Sequence, residues 1–456
     1  MCIRDRFIAV PDWYYNIEYK EELYRGYEGH EDLFVPGFFE VSIRKGESII
    51  LSASTSEQKT STLARKFNTE IKRRPPRENI EECLMHSAHQ FLVKNGKKTE
   101  LIAGYPWYGS RGRDTLLALP GLTLGRDDPK TCKQILDSFA STITEATLSN
   151  PEIFKSKRVN TADTPLCFAW AVHKYLEYIG NSDEVWTSYA KKLKTILKAY
   201  RDGLMDSIIM NPNGLLWVQE RGYPLTWMNA VANGRPVTAR VGYQVETNAL
   251  WYNAIRFTVA LARQAKDHRF AKEWEAIGQT IETSFREVFW YEEKGYLADF
   301  VNQDGQNVYV RPNQLFAVSL PYSPLTDEMK QGVLEVVERE LYTPKGIRTL
   351  APKNPFYKGR YTGDRYARDL AYHQGTAWPW LLGHFIEAYY KLHGKTADAL
   401  ANSILEAFCE DIHRRGICSI SEVYDGDPPQ YPKGAISFAL SVAEAIRIKR
   451  MYESNK

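Results

Sequence analysis

Cysteine is scarce in this chain and carries no pattern. Six cysteines (Cys2, Cys83, Cys132, Cys167, Cys409, Cys418) are scattered through 456 residues, with no CxxC pair and no histidine at metal-ligand spacing. That excludes a disulfide scaffold and a zinc module, and it predicts buried free thiols in a reducing, cytoplasmic setting. No apolar run approaches the roughly 20 residues needed to cross a bilayer, and the first residues lack the apolar stretch of a signal peptide. Charge of one sign is missing too. The formal net charge is +3, and the basic cluster around Lys72–Arg74 is too short for a phosphate-backbone footprint. Nucleic acid and membrane are therefore not expected partners. No repeat of solenoid period recurs.

What is present is ordinary for a globular protein: 43% apolar and 25% charged residues. The length exceeds what one core usually supports, so one large domain with a smaller attached piece is expected. The run Met1-Cys2-Ile3-Arg4-Asp5-Arg6 resembles a translated sequencing-adapter scar, which makes the chain read as a fragment. Residues 1–60 read as the end of a β-rich domain, with a hairpin formed by Phe38–Ile43 and Ser48–Ser52 around Lys45-Gly46-Glu47. Residues 61–77, charged and closed by Pro75-Pro76, read as a linker.

From residue 78 to 456 the periodicity is helical. About twelve helices are expected, near 78–94, 113–124, 130–148, 162–179, 183–206, 246–265, 268–290, 312–320, 325–341, 372–393, 396–413 and 433–453. Asp183, Ser323 and Thr396 are expected caps, and Gly180 and Gly394 expected helix ends. Twelve helices without a solenoid repeat suit an all-α, (α/α)6 toroid of six hairpins. Connections at 96–112, 207–245, 342–371 and 414–432 are too long for simple turns and are where function is expected.

Those connections, and the residues that follow them, mix Trp and Tyr with Asp, Glu, Arg, Asn and Gln. Examples are Tyr105, Trp107, Arg113 and Asp114 in the first, Trp227 in the second with Trp251 and Asn253 after it, His373, Gln374 and Trp378 after the third, and Asp425 in the last. Sugars need flat apolar faces for their C–H edges and fixed polar groups for their hydroxyls. Any single Trp reads equally well as core, but the set argues for a carbohydrate site. A glycosidase needs two carboxyl groups across the scissile bond, one protonated and one ionised. Glu422 and Glu246 are the best placed, with Asp114, Glu220, Asp425 and Asp427 behind them.

Motifs in fixed order sharpen this reading. They are Gly104-Tyr-Pro-Trp-Tyr-Gly with Gly112-Arg-Asp-Thr, Asn160-Thr-Ala-Asp-Thr-Pro-Leu, Leu225-Thr-Trp-Met, Val245-Glu-Thr-Asn-Ala-Leu-Trp-Tyr-Asn-Ala, Arg311-Pro-Asn-Gln, Tyr372-His-Gln-Gly-Thr-Ala-Trp-Pro-Trp and Ser421-Glu-Val-Tyr-Asp-Gly-Asp. From about Gly104 to Arg447 the chain resembles the C-terminal glucosidase domain of glycogen-debranching enzymes, and the stub before Pro75 resembles the end of the β-rich N-terminal domain of bacterial members. The resemblance implies inverting, exo-acting removal of the α-1,6-linked branch-point glucose of glycogen or a related branched α-glucan. It implies no cofactor and no metal, with the lone His373 a wall of the pocket. Glu422 falls at the general base, and Arg113 and Asp114 where the terminal glucose is held.

One departure matters. The family motif matching Thr226-Trp227-Met228-Asn229 usually ends in Asp, the general acid, and an amide cannot supply a proton. Three explanations stand open: Asn229 binds while another carboxyl, Glu246 or Glu220, is the acid; the chain binds glucan without hydrolysing it well; or the sequence carries an error at this position. A glucoamylase- or trehalase-like toroidal α-glucosidase is the alternative enzyme, since one scaffold hosts several such chemistries.

Overall fold

The computed structural model describes residues 6–74, 76–96, 98–144, 148, 161–203, 207–219, 222 and 224–454. It divides into two compact units, one running to Pro76 and including Thr362–Arg368, the other formed by Arg77–Tyr361 and Asp369–Lys456. Glu220 and Asn160 lie outside the described residues.

In the first unit, Arg6–Glu18 pairs antiparallel with His30–Glu40. The expected hairpin around Lys45-Gly46 is absent: residues 41–52 make the turn but no strand, because the alternating run at Phe38 pairs backwards with Phe7–Ala9 instead. The expected linker contains a helix, Thr60–Arg73, without a buried residue and supported by the Glu70–Arg74 pair at i,i+4. The inclusion of Thr362–Arg368 in this unit has no counterpart in the sequence reading.

The second unit is built on α1 (Ile80–Phe91), α2 (Gly112–Leu122), α3 (Pro129–Ala140), α4 (Thr164–Ile179), α5 (Ser182–Asp202), α6 (Val245–Gln264), α7 (His268–Phe289), α8 (Leu315–Ser319), α9 (Asp327–Glu340), α10 (Leu381–His393), α11 (Ala397–Phe408) and α12 (Ala439–Ser454). The even-numbered helices each pack on the next, and α12 packs back on α2. The odd-numbered helices lie against them: α3 between α2 and α4, α5 between α4 and α6, α9 between α8 and α10, α11 between α10 and α12, with α1 on α12 and α7 on α6.

Sequence explains the division. Sixteen of the twenty residues of α6 are buried, so it is enclosed nearly all round, whereas α7 buries a single stripe from Ala271 to Phe289. The outer helices α1, α3, α5, α7 and α9 begin on side-chain caps: Asn79, Asp128, Asn181, Asp267 and Thr326. The inner helices α2, α4, α6, α8 and α10 begin without one.

The unit is helix-rich but not all-α. One five-stranded sheet orders Gly305–Asn307, Phe300–Asn302, Gly242–Gln244, Leu216–Val218 and Ile208–Met210; a second orders Tyr342–Thr343, Gly346–Arg348, Ala377–Trp378, Val423–Tyr424 and Pro432–Lys433. Strands of two or three residues show no alternation, so a sequence cannot announce them. For the same reason the expected helix 372–393 is wrong at its start: Tyr372–Trp380 is extended and turning around Gly375, at φ +143, and α10 begins only at Leu381. The expected 433–453 helix likewise starts at Ala439, and Leu92–Asn95 is a strand paired with Lys98–Leu101 rather than helix. Gly180 ends α4 at φ +65 as expected, while the caps of α5 and α9 are Asn181 and Thr326, not Asp183 and Ser323.

Candidate active site

The segments before the inner helices meet side chain to side chain. Glu422, in the connection that precedes α12, is 1% exposed. The Tyr108 hydroxyl donates to both of its carboxylate oxygens, at 2.8 and 3.0 Å; the Tyr372 hydroxyl donates to Oε1; and the Ala435 N–H donates to Oε2 at 2.8 Å. Burial pushes the Glu422 carboxyl up, and Tyr372, the Ala435 amide, Tyr108 and Arg111 oppose that rise. Arg111 stacks 3.9 Å over the Tyr108 ring and lies 3.9 Å from Asp114.

Beside this carboxylate stands an aromatic box. Trp227 meets the rings of His373, Trp378 and Trp380 edge to face at 5.1, 5.6 and 5.2 Å, and His373 stacks on Trp378. Trp227 Nε1 donates to Asn313 Oδ1 at 2.7 Å, and Trp378 Nε1 to the Tyr372 carbonyl. Both ring nitrogens of His373 and Nε1 of Trp380 are buried without a protein partner. Burial holds His373 well below its usual range, so the ring is neutral, with one donor and one acceptor to offer.

A second, fully buried network supports the box. The Arg240 guanidinium grips both oxygens of Glu246 and both oxygens of Asp299; Asn313 Nδ2 donates to Asp299 at 2.7 Å; and Arg311 donates to the His373 and Thr349 carbonyls and to Gln374 Oε1. Burial pushes the Glu246 carboxyl up, and the two-pronged Arg240 pulls it back. Arg113 is likewise paired with Asp163 at 3.2 Å.

The expected site residues do not all come together. Trp227, His373, Trp378 and Glu422 come together. Asp114 is buried in the first turn of α2 and Asp425 is buried with its Oδ1 taken by the Tyr361 N–H; burial pushes both carboxyls up. Arg113, Gln374 and Glu246 hold other residues rather than standing free. Two others lie inside α6. Trp251 is 0% exposed, stacks on Tyr200 of α5 and meets Trp274 of α7 edge to face, and donates to the Gly214 carbonyl, so it is core. Asn253 is buried two residues on; its Oδ1 accepts from the Tyr322 N–H and its Nδ2 is buried without a protein partner. Their motif is helical, and helical spacing alone does not tell which turn faces a pocket.

Tyr105 anchors its connection to α1 through the Gln90 carbonyl and a stack on Phe91. Trp107 and Asn229 are exposed. Tyr108, Arg111, Arg240 and Asp299 were not singled out in sequence. Tyr108 sits in the Gly104 motif and was open to notice, whereas Arg240 carries no sequence signal.

At the other end of the inner helices a cavity of about 470 Å³ is lined by the last turns of α2, α4, α10 and α12. Its buried charges, Lys174, Glu387 and Arg447, are closed on one another. The convergent carboxylate, aromatic box and unpartnered donors lie at the first end. Among the described residues no group of three His, Cys, Asp or Glu could hold a metal, and no helix is long and apolar enough to cross a membrane.

A buried carboxylate beside a ring-lined, donor-rich box offers the flat faces and polar groups that a sugar needs. The sequence model of the amylo-alpha-1,6-glucosidase family matches residues 86–447, and the chain belongs to that family. The model of the glycogen debranching enzyme N-terminal region matches residues 1–50. The chain is 22% identical over 388 residues to the glycogen debranching enzyme of Saccharomyces cerevisiae, covering 65% of this chain and 25% of that protein's length. Solved structures share the fold at 14% identity. They include an uncharacterized conserved protein from Thermus thermophilus (TM-score 0.56; 80% of this chain, 100% of that one) and a sialidase (0.58; 81% and 33%). A third is the GH63 mannosylglycerate hydrolase of Thermus thermophilus in complex with Tris and D-glycerate (0.54; 80% and 99%).

Proposed function

We propose that the chain is an inverting, exo-acting α-1,6-glucosidase that removes branch-point glucose from glycogen or a related branched α-glucan, with Glu422 as general base. The cyclic packing of α2, α4, α6, α8, α10 and α12, each flanked by an outer helix, is proposed to be the (α/α)6 toroid. The observation that carries the reading is Glu422 itself. It is a buried carboxylate loaded with hydrogen-bond donors, beside a box whose His373 and Trp380 keep unused polar atoms for sugar hydroxyls. In this reading Glu422 takes a proton from a water whose oxygen bonds to the anomeric carbon. The bond to the glucan oxygen breaks, and that oxygen takes a proton from an acid.

Glu246 is not proposed as that acid, because Arg240 occupies both of its oxygens. Asp114 and Asp425, whose protons burial holds more tightly than usual, are the remaining buried candidates. Glucose release from a phosphorylase limit dextrin, compared with maltose and trehalose, tests the assignment: turnover of the limit dextrin, with β-glucose as first product and loss in Glu422→Gln, is expected. Turnover of maltose or trehalose alone would transfer the chain to the glucoamylase- or trehalase-like reading.

A second reading rests on the exposed amide of Asn229. If no carboxyl replaces the acid, the site binds glucan and hydrolyses only glucosides whose leaving group departs without a proton. Hydrolysis of α-glucosyl fluoride without hydrolysis of limit dextrin would select it.

A further inference from the structure

Glu422 does not orient itself. Its backbone pairs with Ala435, the N–H of Glu422 donating to the Ala435 carbonyl at 2.9 Å, which fixes the chain but leaves the side chain free to turn. The side chain is fixed from two other connections. Tyr108 comes from the turn closed by its own N–H on the Gly104 carbonyl, and its ring is wedged between Arg111 and the edge of Phe438. Tyr372 comes from the extended segment before α10, and its ring meets Tyr361, His373 and Trp378. The third donor, the Ala435 N–H, reaches Oε2 because Gly434 sits at φ +67; a Cβ there would lie 2.5 Å from that oxygen.

We infer that Tyr108 and Tyr372 are positioning residues that hold Glu422 ionised and aimed as the base, an inference that rests on the assignment of Glu422 proposed above. A carboxylate offers about four acceptor sites. Two hydroxyls and one amide fill most of them, which leaves one site, where a water can donate and the proton it gives up can be received. Hydrogen bonds to the charged form lower a carboxyl's proton affinity. The groups that act on the Glu422 charge are Tyr372, the Ala435 amide, Tyr108 and Arg111. Both tyrosines are themselves pushed above their usual range by burial and by Glu422, so they stay protonated and act only as donors here.

The sign of the effect follows. Removing either hydroxyl removes a lowering interaction, so the carboxyl rises further and the base is lost at a higher pH. The test is kcat/KM against pH with α-glucosyl fluoride, a probe that needs no acid, for wild type, Tyr372→Phe and Tyr108→Phe. Each variant is expected to move the acidic limb up by about one unit or more, with the double variant moving it further and KM changing less than about twofold. A limb that stays in place in both folded variants overturns the inference. A 13C-NMR titration of Glu422, read as the difference between wild type and Glu422→Gln, gives the same answer without turnover. Retention of the wild-type rate by Glu422→Gln would instead sink the base assignment, whatever the tyrosine variants do.

Discussion

Asn229 stands exposed while its neighbours Trp227, Met228 and Ala230 are buried, so the backbone that aims it is fixed and only the atom at its tip differs from a carboxyl. Exchanging that amide for an acid tests one atom's chemistry in an unchanged frame. Asn229→Asp is expected to raise limit-dextrin turnover by about 10²-fold or more if the position is a vacant acid. A loss of rate would show that the amide has a binding role of its own. Two buried histidines contribute to the pH dependence of stability. Burial pushes His173 down to about 4 and His384 down to about 3, from an ordinary value of 6.5. The unfolded chain therefore binds these protons more readily. The stability contributed by the neutral rings is complete above pH 6.5 and is lost as pH falls towards about 4. Urea midpoints at pH 7.5 and 4.5 should differ in that direction, and His384→Phe should flatten the difference.

Elements were legible in proportion to their length. The long inner and outer helices follow from periodicity, but their caps did not: Asn181 and Thr326 cap where Asp183 and Ser323 were expected, and Thr396 makes no side-chain cap. The two small sheets did not, because strands of two or three residues are chosen by the neighbours they meet. This is why Tyr372–Trp380 is not helix: Ala377–Trp378 is claimed by Gly346–Arg348 on one side and Val423–Tyr424 on the other. One close approach joins the ends of the inner series. A Cβ on Gly121 of α2 would lie 2.1 Å from the carbonyl oxygen of Ala443 in α12. Gly121→Ala must push two backbones apart, and a loss of about 1–3 kcal/mol is expected in denaturant unfolding. Gly109→Ala, where nothing lies within 4 Å, is the control and should change little.

Across the whole helical unit, three inner helices are tied by charge. Glu387 of α10 accepts from Lys174 of α4 at 2.7 Å and from Arg447 of α12 at 3.0 Å, all three nearly buried. Glu387→Ala would leave a buried lysine without its main partner, and a cost of about 3–5 kcal/mol is expected. Glu387→Gln, which keeps acceptor capacity, should cost less; equal costs would mean that packing rather than charge is lost. Sequence by itself determined the helical class, the carbohydrate-type composition of the connections and the candidacy of Glu422, because periodicity and residue chemistry are local properties. Tertiary structure decided which of those residues face one another. Glu246 and Trp251 lie five residues apart on α6, yet one is gripped by Arg240 and the other is packed against the outer helices. Tyr108 and Tyr372, far apart in the chain, close on a single carboxylate. Partner choice depends on distances between distant segments, and no local pattern encodes it.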